Sequence, residues 1–282
     1  MLRLADAANR VAYGEIAPIA WFGSETIEQA IQFCRSLPAE IEAETVAQIP
    51  EVLPACQFGF ESAWESLHSN RQPPSSLPYC GLLPTGEGAI AAWPALWAQG
   101  YQTLKWKIAV APIDEELDGL TRLLRILPAT AKLRLDANGG LTLDAAKRWL
   151  GWCDRTAQIE FLEQPLPPDQ FDQMLQLSQQ FSTPIALDES VASIAQLQTC
   201  HTQGWKGIFV VKAAIAGSPL RLRRFVQTHQ LDVVWSSALE TAIARRYIET
   251  HLVQPPVRSL GMGVSHWFTD DDCEAEQQWN RH

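Results

Sequence analysis

The sequence predicts an α/β protein in which a (β/α) barrel follows a smaller α+β domain. Beyond residue 79, short apolar runs alternate with amphipathic segments of helical period, a pattern typical of parallel sheets. A polar residue closes each of five successive apolar runs, at intervals of 29, 27, 25 and 24 residues. So regular a step favours a barrel over an open parallel sheet, which is the alternative. A Pro- and Ser-rich stretch over 70–79 separates this region from what precedes it.

Residues 1–75 are predicted to form a small capping domain. A polar turn separates two short alternating segments, which indicates a β-hairpin or two edge strands. Thr26 and Gln29 fit a capping box at the start of a helix that Pro38 ends. The expected elements of this domain are strands over 2–4 and 11–18 and helices over 27–37 and 57–68.

The barrel domain is predicted over residues 79–264, and residues 265–282 are expected to form a tail that packs back on the cap. Seven apolar runs are assigned to strands: 81–84, 104–110, 133–137, 159–164, 184–189, 207–213 and 231–237. Five amphipathic segments are assigned to helices: 113–127, 142–154, 172–180, 193–200 and 218–228.

Composition and charge exclude several classes of protein. The 282 residues are 46% hydrophobic and 19% charged, which is globular composition, and the formal net charge is −10. An acidic chain does not bind nucleic acid or anionic membranes through bulk charge, so neither is an expected partner. No apolar run reaches 18 residues and no signal pattern opens the chain, so a cytoplasmic location is predicted. The six cysteines form no C-x-x-C pair and are expected to be free thiols.

Three carboxylates close neighbouring predicted strands: Asp136, Glu163 and Asp188. Active sites of barrels lie at the carboxyl ends of the strands, so these side chains are expected to converge. Converging carboxylates repel one another unless a cation compensates their charge. An all-oxygen ligand set with open positions favours Mg²⁺ over zinc. For any one of the three, capping of the next helix is the alternative role.

Three lysines flank the carboxylates. Lys105 and Lys107 are two residues apart in one strand and therefore point to the same face, the barrel interior. A buried pair of like charges lowers the pKa of at least one lysine, which makes a usable general base. Lys212 closes a later strand and is expected to reach the site from the opposite wall, the alternative being a solvent-exposed strand end. By the same alternation, Arg134 shares a face with Asp136.

At these residues the chain resembles the enolase superfamily, and within it the o-succinylbenzoate synthases. The segments that carry the resemblance cover most of the chain and are GEIAPI (14–19), TLKWK (103–107), LRLDAN (133–138), EFLEQPL (160–166), ALDES (186–190), FVVK (209–212), SSALET (236–241) and LGMG (260–263). Relative to that family the cap begins late, so the expectation is either an N-terminally shortened cap or a misassigned start of the chain. Muconate cycloisomerases, N-acylamino acid racemases and dipeptide epimerases share the same lysine and carboxylate layout.

The resemblance also implies a cofactor and a set of residue roles. One Mg²⁺, or Mn²⁺ in its place, would be held by the three carboxylates, with Lys107, Lys212 and Lys105 as the catalytic lysines. A small carboxylate would be the substrate, whereas no oligomeric state is implied. Residues expected to orient the ligands or contact the substrate are Asn138, Glu189, Arg134, Ser236, Ser237, Gly261 and Gly263.

The reaction implied by the resemblance is the dehydration of 2-succinyl-6-hydroxy-2,4-cyclohexadiene-1-carboxylate to o-succinylbenzoate, a step toward menaquinone or phylloquinone. Lys107 would remove the α-proton and later protonate the leaving hydroxyl, and Lys212 would stabilise the enediolate. A racemase or epimerase would instead use both lysines as bases. A Schiff-base aldolase at Lys212 and an inactive, truncated barrel are the alternatives outside this chemistry.

Overall fold

The computed structural model describes residues 1–254 and 257–263 together with Trp279. Eight parallel strands form one sheet. The sheet closes on itself because Ser236 and Gly261 form a parallel bridge and the Ser237 amide donates to the Gly261 carbonyl at 3.0 Å. The predicted barrel is therefore confirmed, and the open-sheet alternative is wrong.

The barrel strands follow one another around the ring in chain order, with the last beside the first. They are β3 (Tyr79–Leu82), β4 (Thr103–Lys107), β5 (Lys132–Asp136), β6 (Ile159–Glu163), β7 (Ile185–Leu187), β8 (Ile208–Val211), β9 (Val233–Trp235) and β10 (Leu260–Gly263). Because β8 lies four strands from β4, the two strands face each other across the barrel.

Helices cover the outside of the barrel and connect its strands. They are α4 (Gly88–Ala98), α5 (Ile113–Ile126), α6 (Leu143–Cys153), α7 (Phe171–Gln180), α8 (Ile194–Thr202), α9 (Ala213–Ala216), α10 (Pro219–His229) and α11 (Ala242–Tyr247), which continues as a π-helical turn over Ile248–Leu252. The interior between the strands is filled by a separate apolar cluster that includes Phe161, Ala186 and Val210. The barrel is thus a packed core with its mouth at the carboxyl ends of the strands.

The capping domain combines a β-hairpin with three helices. Its elements are β1 (Leu2–Ala5), β2 (Val11–Gly14), a 3₁₀ turn (Ala20–Phe22), α1 (Ile27–Ser36), α2 (Ala43–Ala47) and α3 (Pro54–Leu67). The capping box at Thr26 is confirmed, because its hydroxyl accepts from the Gln29 amide at 3.2 Å and the Gln29 side chain accepts from the Thr26 amide at 2.8 Å. The hairpin is confirmed as well. The elements that were not predicted are α2, α4, α9, α11 and the strand β10.

The hairpin reaches the barrel by packing very closely on α3. A Cβ atom at Gly14 would lie 2.1 Å from the Gly59 carbonyl oxygen, and one at Gly59 would lie 2.8 Å from the Glu15 carbonyl oxygen. Only glycine permits this approach. The predicted packing of the 265–282 tail falls outside the described residues, apart from Trp279, whose ring centroid lies 6.2 Å from that of Tyr13.

Candidate active site

A cavity of about 650 Å³ opens at the carboxyl end of the barrel strands and is covered on one side by the capping domain. Its lining combines lysines and acids with small residues and a few apolar side chains. The sequence-predicted residues among its lining are Lys105, Lys107, Asp136, Asn138, Asp188, Glu189, Lys212, Ser236, Ser237, Gly261 and Gly263. The cap contributes Trp21 and Phe22 from its 3₁₀ turn.

The three carboxylates follow one another around the barrel. Asp136 and Glu163 are the last residues of β5 and β6, and Asp188 comes directly after β7. All three are buried, Asp136 at 5%, Glu163 at 1% and Asp188 at 4% exposure. Burial, and next the charge of Asp136, raises the pKa of the Glu163 carboxyl to about 8. The raised pKa follows mainly from the burial of this carboxyl, to which the neighbouring Asp136 charge adds.

Lys105 lies between two of these carboxylates. Its Nζ is 2.6 Å from Asp136 Oδ2 and 2.8 Å from Glu163 Oε1. Burial alone would lower the pKa of Lys105, but the two carboxylates raise it well above its ordinary value. Lys105 is therefore not the lysine of the predicted pair whose pKa is lowered, because the neighbouring carboxylates outweigh the effect of burial.

Lys107 and Lys212 stand on opposite walls, as predicted, because Lys107 ends β4 and Lys212 follows β8. The Lys107 side chain makes no hydrogen bond or ion pair within the described part of the chain, and its amine is open to the cavity. Lys212 is fixed, since its ammonium contacts the Asp188 carboxylate and lies 4.0 Å from the centre of the Phe22 ring. The two lysines thus have different surroundings.

Hydrogen bonds from Asn138 orient the carboxylates of Asp136 and Glu189. The Asn138 amide donates to Asp136 Oδ1 at 3.0 Å, and the Asn138 side chain donates to Glu189 Oε1 at 3.1 Å. Burial, and next the charge of Asp188, raises the pKa of Glu189. The predicted positions of Asn138 and Glu189 beside the ligands agree with this arrangement.

Gln164 was not singled out from the sequence, yet it links the ends of two strands. It is fully buried, and its Oε1 accepts from the amides of Asp188 at 2.9 Å and Ser190 at 3.2 Å. Its Nε2 donates to Ser190 Oγ at 2.7 Å and to the Leu166 carbonyl at 2.9 Å. The sequence signal available was its position directly after the acid that closes β6.

Arg134 was predicted beside the ligands, and this placement is wrong. It shares the inward face with Asp136 but lies one layer deeper, at 1% exposure, and does not line the cavity. Its Nε donates to Glu160 at 2.8 Å, and its guanidinium lies 4.8 Å from the Phe161 ring centre. Alternation along a strand determines which face of the sheet a side chain is on but not how far it lies below the mouth of the barrel. Arg134 therefore packs in the barrel interior instead.

Gly261 and Gly263 line the cavity but also have a packing requirement. A Cβ at Gly261 would lie 2.9 Å from Ser236 Oγ, and one at Gly263 would lie 2.2 Å from the Cys80 carbonyl oxygen. These glycines let β10 close the barrel between its two neighbours. Because glycine has no side chain, these two positions also leave space beside β10 for a substrate.

The carboxylates suit a hard divalent cation, although their present orientation is set by the lysines. Within residues 1–254 and 257–263, no three acidic, histidine or cysteine side chains surround a common point. The predicted common point is therefore not formed, because Lys105 and Lys212 hold the oxygens that a metal would take. Three buried carboxylates nonetheless provide the all-oxygen donor set that fits Mg²⁺.

Comparison with known proteins places this arrangement in a family. The model of the enolase C-terminal domain-like family matches residues 89–268, which is most of the barrel. The chain belongs to the enolase superfamily. This membership agrees with the fold and with the lysines and carboxylates at the mouth of the barrel.

Individual members of the superfamily resemble the chain over nearly its whole length. An o-succinylbenzoate synthase of Thermosynechococcus vestitus is 46% identical over 274 residues, covering 94% of this chain and 84% of the relative. A crystal structure of o-succinylbenzoate synthase from Thermosynechococcus elongatus, described as complexed with Mg in the active site, superposes with a TM-score of 0.92 at 43% identity, covering 99% of this chain and 90% of that one.

A relative with different chemistry is more distant. A hydrophobic dipeptide epimerase of Roseobacter litoralis is 29% identical over 216 residues, covering 68% of this chain and 61% of that protein.

The structure also bears on the expectations about membrane spans and cysteines. No helix in the described part of the chain is long and apolar enough to cross a membrane. The five cysteines that the structure describes are free thiols: Cys34, Cys56, Cys80, Cys153 and Cys200.

Proposed function

We propose that this chain is an o-succinylbenzoate synthase that dehydrates 2-succinyl-6-hydroxy-2,4-cyclohexadiene-1-carboxylate to o-succinylbenzoate. The observation that carries the proposal is the pair of lysines on opposite walls with three acids between them, in a chain 46% identical to a synthase of that name. The small carboxylate substrate and a place in menaquinone or phylloquinone synthesis follow from this activity. The cytoplasmic location stays a prediction.

The residues that would hold one Mg²⁺ are Asp136, Glu163 and Asp188. Bound there, the cation would act as a Lewis acid toward the substrate carboxylate, which makes the neighbouring C–H bond more acidic. Asn138 orients Asp136 through its backbone amide, and Glu189 accepts from the Asn138 side chain. Lys105, fixed between Asp136 and Glu163, balances part of the ligands' charge.

Lys107 is the residue suited to move the proton. Its amine has no ion-pair partner among the residues that the structure describes and faces the cavity, so it can take the α-proton and then deliver a proton to the departing hydroxyl. Loss of that hydroxyl yields an aromatic ring, which makes the second step downhill. The proton therefore starts on the substrate carbon and leaves with the water that is formed.

Lys212 is suited to stabilise charge instead of accepting a proton. Its ammonium is held by Asp188 and the Phe22 ring on the wall opposite Lys107. A fixed cation at this position favours the anion that develops when the α-proton is removed. The unequal surroundings of the two lysines favour a single acid and base over the two-base reaction of a racemase or epimerase.

The decisive experiment is a turnover assay of the purified chain with the cyclohexadiene substrate and Mg²⁺, with and without EDTA. We expect o-succinylbenzoate to form only in the presence of the metal. Lys107→Ala should also abolish exchange of the substrate α-proton with solvent deuterium. Absence of product with Mg²⁺ present would contradict the proposal, as would borohydride trapping of a substrate adduct without sensitivity to EDTA.

The racemase or epimerase reaction predicts a different result for Lys107→Ala. In a two-base racemase or epimerase, each lysine serves one enantiomer. Lys107→Ala would then still exchange the α-proton of one enantiomer of an N-acylamino acid or dipeptide through Lys212. Exchange selective for one enantiomer would replace the synthase assignment by the epimerase or racemase assignment.

A further inference from the structure

We infer that Glu15 of the capping domain is a positioning residue that fixes the loop 236–241 at the edge of the active-site cavity. The inference rests on the proposed function for its kinetic consequence, but the contact itself is a property of the fold. It joins two segments that lie 226 residues apart in the chain, at the boundary between cap and barrel.

Both oxygens of the Glu15 carboxylate accept hydrogen bonds in this contact. The Thr241 amide donates to its two oxygens at 2.9 and 3.0 Å, and the Thr241 hydroxyl donates to Oε2 at 2.7 Å. The Ala244 amide donates to Oε2 as well, at 3.3 Å. These donors lie at the start of α11, where backbone amides have no partner within the helix and a negative charge is favoured. Glu15 is 9% exposed, so water offers little replacement.

The backbone of Glu15 is itself held in place. It directly follows Gly14, and the close approach of Gly14 and Gly59 fixes this turn against α3. Helix α3 is in turn joined to the barrel, because Glu61 accepts from Ser218 Oγ at 2.6 Å. Glu15 therefore acts on the loop from a rigid support, which is what positioning to within tenths of an ångström requires.

The loop that Glu15 holds carries cavity-lining side chains. Its first residues, Ser236 and Ser237, are fixed to the barrel by backbone hydrogen bonds to β8 and β10. Leu239 also lines the cavity, in the left-handed region at φ 62°, a conformation that a branched apolar residue adopts only when its neighbours impose it. Thr241, two residues further, is the far anchor of the loop. Without the Glu15 contact, Leu239 would lose that anchor.

A matched control exists at the opposite end of the barrel. The Asp154 carboxylate accepts from the Thr183 amide and hydroxyl, both at 2.7 Å, and from the Ser182 amide at 3.2 Å. The donors are of the same kinds as at Glu15, namely a threonine amide and hydroxyl and a second backbone amide, but they belong to the segment that precedes β7, away from the cavity. Asp154 is exposed where Glu15 is buried, so the free energy of unfolding must be measured for both variants.

The test compares Glu15→Gln with Asp154→Asn in the full chain with Mg²⁺. Either change places an amide NH₂ against backbone donors and removes a charge-assisted hydrogen bond, worth roughly a factor of ten. For Glu15→Gln we expect KM for the cyclohexadiene substrate to rise about tenfold while kcat changes less than about threefold, because the catalytic lysines are on other strands. Asp154→Asn should leave both constants unchanged. Glu15→Asp, which keeps the charge but shortens the side chain, should recover part of the loss.

Hydrogen–deuterium exchange gives a second measurement that does not depend on catalysis. Amides over 238–244 should exchange faster in Glu15→Gln than in the parent chain, and those in Asp154→Asn should not change. If the parent chain fails to turn over the substrate, the proposed function is wrong and exchange alone decides the positioning role. Unchanged exchange over 238–244 in Glu15→Gln would overturn the inference, as would an equal rise of KM in both variants.

Discussion

Replacing Lys105 by methionine tests the charge balance of the site most directly. The Lys105 ammonium is 2.6 Å from Asp136 and 2.8 Å from Glu163, whose side chains are only 7% and 2% exposed. Methionine has a similar length but no charge, so the variant leaves two buried carboxylates facing each other. Breaking a buried ion pair by removing one partner costs about 3–5 kcal/mol. We therefore expect Lys105→Met to lose a free energy of unfolding of this size in the absence of metal.

Protonation of Glu163 makes this loss depend on pH. Its pKa in the folded state is about 8, above the ordinary value of 4.5, so between these values the folded protein binds more protons than the unfolded chain. Stability therefore rises as the pH falls from about 8 toward 4.5. Removing Lys105, whose charge lowers the pKa of Glu163, strengthens this dependence. The loss in Lys105→Met should be largest at pH 8 and smaller at pH 5.5.

The assay is urea unfolding in EDTA at both pH values, repeated at pH 8 with Mg²⁺. Mg²⁺ should stabilise Lys105→Met more than the parent chain, because the lysine competes for the same oxygens; binding at 100 times Kd contributes about 2.7 kcal/mol. Lys132→Met, at an exposed lysine that begins β5 and donates to the Ala157 carbonyl, is the control and should unfold like the parent. Equal urea midpoints for Lys105→Met and the parent at pH 8 in EDTA would refute the reasoning.

Three further changes test single contacts. Glu163→Gln should keep the fold but lose Mg²⁺ affinity, measured by calorimetry, and unchanged affinity would remove this residue from the ligand set. Gln164→Leu leaves the Asp188 amide without its acceptor, so we expect a loss of about 1–3 kcal/mol in urea unfolding and a 10–100-fold weaker metal affinity; normal values of both would contradict its orienting role. Gly59→Ala places a methyl group 2.4 Å from Ile16 Cγ1 and should cost about 1–3 kcal/mol, whereas a Tm equal to the parent would show that the hairpin can yield.

The barrel could be predicted because its signals are local. A buried parallel strand is a short apolar run, and the polar residue that ends it marks the mouth of the barrel. Asp136, Glu163 and Lys107 each end their strands as expected, while Asp188 and Lys212 stand one residue beyond theirs. Helix α4 escaped prediction because it is rich in Ala and Trp, lacks an amphipathic period and contains Pro94.

The contacts around the site could not be predicted because they join distant segments. Gln164 offers no acid–base chemistry, and two of its partners, Asp188 and Ser190, lie 24 and 26 residues away. The contact of Glu15 with Thr241 spans the chain. Arg134 shows what strand alternation cannot predict. Alternation places its side chain inside the barrel, but the inside includes both the cavity and the packed layer beneath it. Sequence spacing therefore identified the reactive groups, whereas their supports required the structure.

Phe22 is where the cap acts on the chemistry itself. Its ring centre lies 4.0 Å from the Lys212 ammonium, and the side chain is 9% exposed. A cation above an aromatic face is stabilised by about 0.5–2 kcal/mol, which corresponds to a two- to thirtyfold effect on a rate. Phe22→Leu keeps an apolar side chain but removes the ring face, so Lys212 would be left with Asp188 as its partner. We expect kcat to fall by a factor in this range.

Phe22→Tyr and Phe22→Trp supply the comparison, because both keep an aromatic face and should restore most of the rate. Binding of Mg²⁺ should be unchanged in all three variants, since the Phe22 ring contacts the Lys212 ammonium and is not itself a proposed ligand. A role limited to filling space predicts the opposite order, with leucine tolerated best because it adds no bulk and the larger tryptophan worst. Equal kcat values for Phe22→Leu and Phe22→Tyr would show that the ring face does not hold the Lys212 ammonium. Its position would then be set by the contact with Asp188.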